Sequence, residues 1–336
     1  MMIRNHITVA TLAILLLFAA AESAAQTKKN TNTTKNANTA RTEPKAKPKS
    51  NAAKSNAAKS KPSGAAIFLV TQDRSGAHMA PLVGVIEGRL IEPPSAESET
   101  FSEFASRYYR AGQKYRLLFG GGEAGTVTVK SGPDKESECA RSQANVELET
   151  SVRINGLVMG LATASDALGR KTSSRRFPAA TERATVSDMA KGIFRQKGVA
   201  AAALEDMKTI NMTATDLGGD GKAEIIASFI VRTKQKNAIV HHLFLIAAPE
   251  ADGFDVDLMR YSRTTAADLP GGASLDDVDE AVLTEVLVDQ LDLNNDKMAE
   301  VITMTTSFEG ATYKIYRKQK GQWATLYEFY GYRCAF

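Results

Sequence analysis

Two short acidic segments in the C-terminal half of the chain constrain its fold more than any other feature. They read Asp216-Leu-Gly-Gly-Asp-Gly-Lys-Ala-Glu224 and Asp292-Leu-Asn-Asn-Asp-Lys-Met-Ala-Glu300, and they begin 76 residues apart. Each runs directly into β-branched residues, Ile225-Ile226 in the first and Val301-Ile302 in the second. Because such residues favour strands, we expect each segment to be a tight loop between two strands.

The same order of elements surrounds both segments. Apolar runs separated by polar turns predict a strand, the acidic loop, a second strand, a turn, a third strand, another turn and a fourth strand. In the first unit these runs lie near residues 209–214, 225–231, 238–248 and 254–261, and in the second near 282–291, 301–306, 311–316 and 323–330. The recurrence predicts an uneven internal repeat of antiparallel units.

The spacing of oxygen-bearing residues in both loops favours a divalent cation. Calcium takes six to eight oxygen ligands, and a tight loop can direct positions 1, 3, 5 and 9 and the main-chain carbonyl of position 7 inwards. The second loop then offers Asp292, Asn294, Asp296, the Met298 carbonyl and Glu300. The first offers Asp216, Asp220, the Lys222 carbonyl and Glu224, with water in place of a side chain at Gly218.

Two other structures can carry acidic residues at similar spacing. An EF-hand needs a carboxylate at position 12 and helices on both sides, whereas position 12 is Ala227 or Thr303 and both loops precede β-type runs. Tight turns in which Asp and Asn bind their own backbone remain an alternative. Lys297 stands where the first loop has Gly221, so we expect a strained backbone there.

The two segments resemble FG-GAP/VCBS-type repeats, as in the integrin α-subunit propeller, over about residues 209–330. The resemblance implies blade-like antiparallel units with calcium held by Asp216, Asp220, Glu224, Asp292, Asn294, Asp296 and Glu300. The expected fold is mainly β with a few short helices. Its antiparallel units would resemble blades of a partial or irregular propeller, preceded by a small β-rich domain.

The N-terminus has the three-part layout of a secretory signal peptide. Arg4 and His6 precede 15 apolar residues and threonines at 7–21, and small residues follow as far as Ala25. A membrane-spanning helix needs about 20 apolar residues, so cleavage near Ala25 is favoured over an uncleaved anchor. Residues 1–25 therefore predict export to the periplasm, the cell envelope or the exterior.

Residues 26–63 form a basic linker. From residue 27 onwards they include ten Lys and Arg, one acid (Glu43) and no aromatic, Leu, Ile, Val or Met residue. Such a composition cannot bury enough apolar surface to fold, so we expect disorder. The net charge of the linker is +9, and the net charge of the residues before it is zero. Because the whole chain carries +4, the residues after the linker carry a net charge of −5. A solvated spacer is favoured over adhesion to acidic envelope polymers.

Residues 64–183 predict a β-rich N-terminal domain, and residues 184–336 the domain with the acidic loops. Glycines at 120–125 lie between two strand-like runs, which predicts a hairpin turn rather than a phosphate-binding loop. Aromatics at helical spacing predict a short helix at 101–110, and Thr185-Val-Ser-Asp188 predicts a helix N-cap at Thr185. One cysteine lies in each domain, and export makes a Cys139–Cys334 disulfide the expected pairing, with two buried thiols as the alternative.

The residues carry no recognisable catalytic constellation, so the sequence predicts a non-catalytic interaction or scaffold protein. His241 and His242 are adjacent on a strand and should point to opposite faces. The C-terminal aromatics, Trp323 to Phe336, predict packing more than a sugar-binding platform. The expected partner is a protein or an envelope polymer, with no nucleic acid, and with membrane contact only through an uncleaved signal segment. The alternative is a secreted hydrolase or carbohydrate-binding protein acting on envelope polymers.

Overall fold

The computed structural model describes residues 64–134, 141–234, 237–279 and 281–332. The predicted signal peptide, the basic linker, Cys139 and Cys334 lie outside the described residues, so the predictions made for them stay predictions. Among the described residues, no helix combines the length and the apolar character needed to span a bilayer.

The N-terminal β pattern closes into a six-stranded antiparallel barrel. Its order is β1-β7-β4-β5-β6-β2, β1 pairs back with β2, and β3 extends β2. The predicted helix is α1 (Glu99–Tyr108). The strands are β1 (Ala65–Asp73), β2 (Gly76–Ile86), β3 (Arg89–Ile91), β4 (Lys114–Phe119), β5 (Gly122–Ser131), β6 (Ala144–Thr150) and β7 (Gly160–Thr163).

Alternation along the barrel strands separates two cores. Phe68 and Val70 of β1 lie in a cluster with residues of the other five barrel strands and with Phe101 of α1, so this cluster fills the barrel. Ile67 and Leu69, on the other face of β1, belong to a second cluster outside the barrel. Period-two patterning therefore decides which side chains leave the barrel to contact the rest of the protein.

The C-terminal half forms two four-stranded antiparallel sheets in which sequence neighbours pair. This confirms the predicted strand order around each acidic loop. The first sheet contains β8 (Lys208–Thr215), β9 (Glu224–Arg232), β10 (Ile239–Glu250) and β11 (Gly253–Thr265). The second sheet contains β12 (Glu285–Leu291), β13 (Glu300–Thr306), β14 (Gly310–Gln319) and β15 (Gln322–Tyr332).

Both sheets are buried on two faces, which explains the continuous apolar runs of their central strands. On β9, Ile225 packs under α2 (Ala180–Gln196) and α3 (Ala201–Leu204), while Ile226 faces the second sheet. On β13, Val301 faces the first sheet and Ile302 packs on the outside of the barrel. The layers are therefore helices, first sheet, second sheet and barrel. A short 3₁₀ turn (Ala266–Asp268) and α4 (Leu275–Asp279) complete the fold.

The predicted N-cap at Thr185 is wrong, because α2 begins earlier, at Ala180. The carboxylate of Glu182 accepts the backbone N–H of Ala179 at 2.6 Å, which satisfies one of the unpaired amides of the first turn. Arg176 holds that carboxylate through two hydrogen bonds of 2.7 Å. The helix therefore begins beside the ion pair of Arg176 and Glu182, and not at the Thr185-x-x-Asp188 pattern.

The expectation of a mainly β protein with a few short helices is confirmed. The way the sheets are arranged differs from what the resemblance to propeller blades implied. The described residues form a closed barrel at the N-terminal side, and the two C-terminal sheets stack on each other and on it. A closed barrel was not anticipated, because ring closure depends on the pairing of β1 with β7 and of β2 with β6, which are far apart in the chain.

Candidate metal site in the acidic loops

The first acidic loop is wrapped around the carboxylate of its first residue. Asp216 accepts the N–H of Gly219 at 2.6 Å, of Asp220 at 3.2 Å and of Gly221 at 2.9 Å. Asp220 in turn accepts the N–H of Lys222 at 2.9 Å. The loop backbone is therefore organised by two carboxylates that receive its amide hydrogens.

The second loop repeats this arrangement. Asp292 accepts the N–H of Asp296 at 3.2 Å and of Lys297 at 2.9 Å, and Asp296 accepts that of Met298 at 2.9 Å. Asn294 adds contacts that Gly218 cannot make, because its amide nitrogen donates to Asp296 at 2.9 Å. The three bonds from positions 5, 6 and 7 have the same lengths in both loops, so the spacing of the two sequences dictates one backbone shape.

Backbone torsions repeat as well. Positions 4 and 6 are left-handed in both loops, with φ of +69° and +85° at Gly219 and Gly221, and of +59° and +77° at Asn295 and Lys297. Asn tolerates this region, but a lysine there is disfavoured. The strain expected at Lys297 from the sequence is therefore present.

Each loop is anchored by its second and ninth residues. Leu217 and Leu293 are buried in the cores on either side of the second sheet. Their backbone N–H groups donate to the position-9 carboxylates, Glu224 at 2.9 Å and Glu300 at 2.7 Å. The glutamates thus close each loop at the first residue of β9 and β13.

The two glutamates differ in their surroundings. Burial raises the pKa of Glu224, and the neighbouring carboxylates of Asp216 and Asp220 raise it further, against the hydrogen bonds from backbone amides. Burial also raises the pKa of Glu300, but Arg317 opposes this by donating its Nε–H to Oε1. Glu300 is thus charge-paired within the protein, and in the described part of the chain Glu224 has no basic partner.

The loops lie side by side at the junction with the barrel. The N–H of Ala299 donates to the carbonyl of Leu217 at 2.9 Å, and Arg170 donates to the carbonyl of Lys297 at 3.2 Å. A cavity of about 100 Å³ lies between them. Its lining includes Asp216, Asp292, Gln290, Arg170 and the glycine turn at Gly120 and Gly121.

The predicted ligands are therefore adjacent within each loop, but they are directed mainly at their own backbone. Across the described ranges, no three His, Cys, Asp or Glu side chains are grouped as around a metal ion. This is the self-bonded turn that the sequence left open as an alternative. An ionised carboxylate has about four acceptor positions, so amide bonds leave capacity for a cation. Calcium binding stays a prediction.

The donor sets fit calcium unequally. The first loop has three carboxylates, Asp216, Asp220 and Glu224, with the Lys222 carbonyl, and no described residue is a basic partner of its glutamate. The second retains Asp292, Asn294, Asp296 and the Met298 carbonyl as predicted ligands, but both oxygens of Glu300 already accept hydrogen bonds. The first loop therefore keeps more free acceptor positions on its glutamate, although it has fewer side-chain oxygens than the second.

The histidines of β10 are structural. The ring of His241 contacts the hydroxyl of Tyr261 at 2.6 Å, and His242 contacts Thr284 and Thr264 at 2.9 and 3.0 Å. Tyr261 belongs to the helix-covered face of the first sheet, whereas Thr284 immediately precedes β12 of the second sheet. The predicted opposite orientation of the two rings is confirmed.

The described part of the C-terminal aromatic run packs as expected, with one exposed exception; Phe336 lies outside the described residues. Trp323 donates its indole N–H to Asp257 at 2.7 Å, and Phe329 stacks on Tyr313 with ring centroids 6.2 Å apart. Tyr330, in contrast, is 51% exposed. It borders a cavity of about 260 Å³ that is also lined by Glu92 and by residues of β2.

Comparisons with protein-family models, with characterised proteins and with solved structures find no match for this chain. The resemblance of its loops to FG-GAP/VCBS repeats therefore rests on the loop residues themselves.

Sequence reasoning missed the residues that surround the loops. The sequence predicted no role for Arg317 or for Arg170. Arg317 reaches the second loop because β13 and β14 pair, and Arg170 reaches it because the barrel packs against the sheets. No linear spacing relates Arg317 to Glu300, which are 17 residues apart on neighbouring strands.

Proposed function

We propose that this protein is an exported, non-catalytic interaction or scaffold protein of the cell envelope that binds calcium through its acidic loops. The observation that carries the proposal is the shared backbone shape of the two loops, each built around an aspartate at position 1 and closed by a glutamate at position 9. Each loop joins the first two strands of a four-stranded antiparallel sheet, the position it occupies in the propeller blades that the sequence resembles.

Export and attachment follow from the N-terminal residues. The signal peptide at 1–25 would direct the protein out of the cytoplasm, and the basic linker at 26–63 would separate the folded part from the envelope. The partner would be a protein or an envelope polymer. Calcium would act by neutralising the carboxylates that close each loop, and so would stabilise the edge where both sheets meet the barrel.

Thermal unfolding of the purified protein tests calcium binding. Extracellular calcium modules bind with dissociation constants near 10⁻⁴–10⁻³ M, so about 10 mM calcium should raise the midpoint by roughly 3–10 °C relative to chelator. Magnesium at the same concentration is the control, because it demands a tighter octahedral shell. An unchanged midpoint, together with no heat of calcium binding in calorimetry, would show that the loops are only self-bonded turns.

A carbohydrate-binding role is the second candidate, and one observation favours it. Tyr330 is exposed at the rim of the cavity of about 260 Å³, beside Tyr313, Phe329, Glu92 and Arg141. Aromatic faces next to charged groups suit sugar rings, which present apolar faces and hydroxyls. Sedimentation with insoluble cell-wall polysaccharide tests it. Tyr330→Ala should abolish retention, and Leu326→Ala, another exposed apolar residue of β15, should not.

A further inference from the structure

The first sheet ends at β8, and the outer edge of this strand is only partly paired. Ala214 exchanges two backbone hydrogen bonds of 2.9 and 3.0 Å with Arg176, which form an antiparallel bridge outside the sheet. Because alternate residues of a strand direct their N–H and C=O to the same side, those of Met212 also point outwards. Within the described ranges, no backbone group from outside the sheet bonds to residues 209–212.

The sequence after Arg176 explains why the bridge does not extend along β8. If the antiparallel pairing continued, Pro178 would stand across from Met212. Proline has no N–H to donate to a ladder, and the chain enters α2 at Ala180. The protein therefore forms one rung of a fifth strand and leaves the next rungs of the edge unpaired.

A groove of about 590 Å³ lies along this unpaired edge, between β8 and α2. On the helix side its wall is formed by Ala180, Ala184 and Ser187, small residues that share one face at helical spacing. Phe177 also lines the groove and is 74% exposed, more than any other large hydrophobic side chain among the described residues. An exposed aromatic ring beside unpaired strand groups is typical of a surface that a partner covers.

The charge of the groove indicates which partner it suits. Arg183 is the one charged residue that lines it, and its guanidinium lies 4.7 Å from the ring centroid of Phe177. One of the five guanidinium N–H groups is directed at the carbonyl of Pro178, at 2.6 Å. The others can meet an anion, so the groove favours an acidic segment over a basic one.

Two other occupants fit less well. The linker at 26–63 carries a net charge of +9, so Arg183 would repel it. A second copy of the protein would bring its own Phe177 and α2 to the same groove, and four edge residues offer far less contact than the roughly 1,200 Å² that a stable interface needs.

We propose that β8 binds an extended peptide segment of a partner protein, which adds a fifth strand to the first sheet. Main-chain hydrogen bonds to Met212 hold the segment, and alternate apolar side chains pack against Phe177. An acidic group at one end of the segment pairs with Arg183. This inference rests on the interaction role in the proposed function, identifies the partner as a polypeptide, and does not depend on calcium.

Fluorescence anisotropy on the full chain, in chelator, tests the backbone pairing. The probe is a labelled synthetic peptide, Thr-Val-Thr-Val-Thr-Glu-Glu, and the control peptide has two prolines at its third and fourth positions. The first should bind and the second should not. Met212→Pro, which removes an outward N–H from an edge strand, should weaken binding at least about fivefold. Met212→Leu keeps the N–H and should bind like the natural protein.

Side-chain selection is tested with variants of exposed or half-buried residues. Phe177→Ala should weaken binding of the acidic peptide at least about fivefold. Arg183→Glu should weaken it by a similar factor and should strengthen binding of the same peptide with two lysines at its end. Arg195→Glu makes the same charge change at the far end of α2 and should leave both affinities unchanged.

Two results would overturn the inference. One is a natural protein that binds neither the acidic nor the lysine peptide, or that binds the proline control equally well. The other is a dimer in sedimentation that Met212→Pro dissociates, because a second copy would then cover the edge. A calcium-dependent melting midpoint without peptide binding would refute the groove and leave calcium binding standing. Peptide binding without any effect of calcium would refute the calcium part of the proposed function and support the groove.

Discussion

The backbone N–H of Gly120 donates to both carboxylate oxygens of Asp289, at 2.8 and 3.0 Å, across 169 residues of chain. Gly120 lies in the barrel hairpin, and Asp289 is fully buried in β12 of the second sheet. Arg175 approaches the same carboxylate at 3.8 Å and donates to the carbonyl of Val288 and the hydroxyl of Thr213 at 3.0 and 3.3 Å. One buried ion pair thus connects the barrel with both sheets.

The first prediction concerns the close approach at this contact. Gly120 has a φ of +62°, and a Cβ added there would lie 2.1 Å from the hydroxyl of Ser173 and 2.8 Å from the backbone nitrogen of Arg175. Gly120→Ala should therefore lower the free energy of unfolding by about 2–4 kcal/mol. Gly112, with a φ of +80° and open space around it, is the matched control and should lose only about 1 kcal/mol as Gly112→Ala. Equal losses in denaturant unfolding would contradict the crowding argument.

The second prediction is a pH dependence of stability. Burial raises the pKa of Asp289 to about 7, although Arg175 and the backbone amides of Gln290 and Gly120 oppose this. Because the folded pKa lies above the unfolded one, the stability from this group is complete below about pH 4 and is lost as pH rises through 7. Between about pH 5 and pH 8 the free energy of unfolding should fall by on the order of 2 kcal/mol from this group.

Asp289→Asn removes the titrating group while it keeps one acceptor for Gly120. Its stability curve should be flatter than that of the natural protein between pH 5 and pH 8, when urea unfolding is followed at each pH. Asp252→Asn, at an exposed turn, should leave the slope as it was. If Asp289→Asn retains the full slope, the carboxylate is not the source of the pH dependence.

The third prediction concerns position 6 of the two loops, where one loop has a lysine and the other a glycine. Lys297 and Gly221 share a left-handed backbone, with φ of +77° and +85°. Lys297→Gly should relieve strain and stabilise the protein by roughly 0.5–1 kcal/mol, and Gly221→Ala should destabilise it by a similar amount. Thermal unfolding in chelator measures both without a contribution from metal. Changes of the same sign in both variants would show that φ does not control these positions.

The fourth prediction concerns the start of α2. The hydrogen bonds from Arg176 hold the pKa of Glu182 below its usual range against the effect of burial, and the amide of Ala179 lowers it further. A lowered folded pKa contributes stability above the unfolded pKa and loses it as pH falls. Glu182→Ala should therefore cost about 0.5–1 kcal/mol at pH 7 and less at pH 3, opposite in direction to Asp289. Asp188→Ala, on an exposed turn of the same helix, is the control.

The loops were predictable because their information is local. Asp216 and Asp292 bind amides three to five residues ahead, so spacing alone specifies which backbone groups they meet. The strand order around them was predictable for the same reason, since apolar runs and polar turns are read along the chain. The predicted N-cap at Thr185 failed because Arg176 and Glu182 outcompete a local pattern through contacts fixed by the connection before the helix.

The sequence by itself determined that the chain is mainly β and that each acidic segment is a tight loop between strands, and it left open whether the aspartates of those loops bind a cation or their own backbone. Only the tertiary structure decided that the N-terminal strands close into a barrel, that Gly120 contacts Asp289, and that Arg317 contacts Glu300. Those relationships depend on register and on closure between segments far apart in the chain. A shift of one residue in strand pairing would give Glu300 a different neighbour, and no spacing along the sequence encodes that choice.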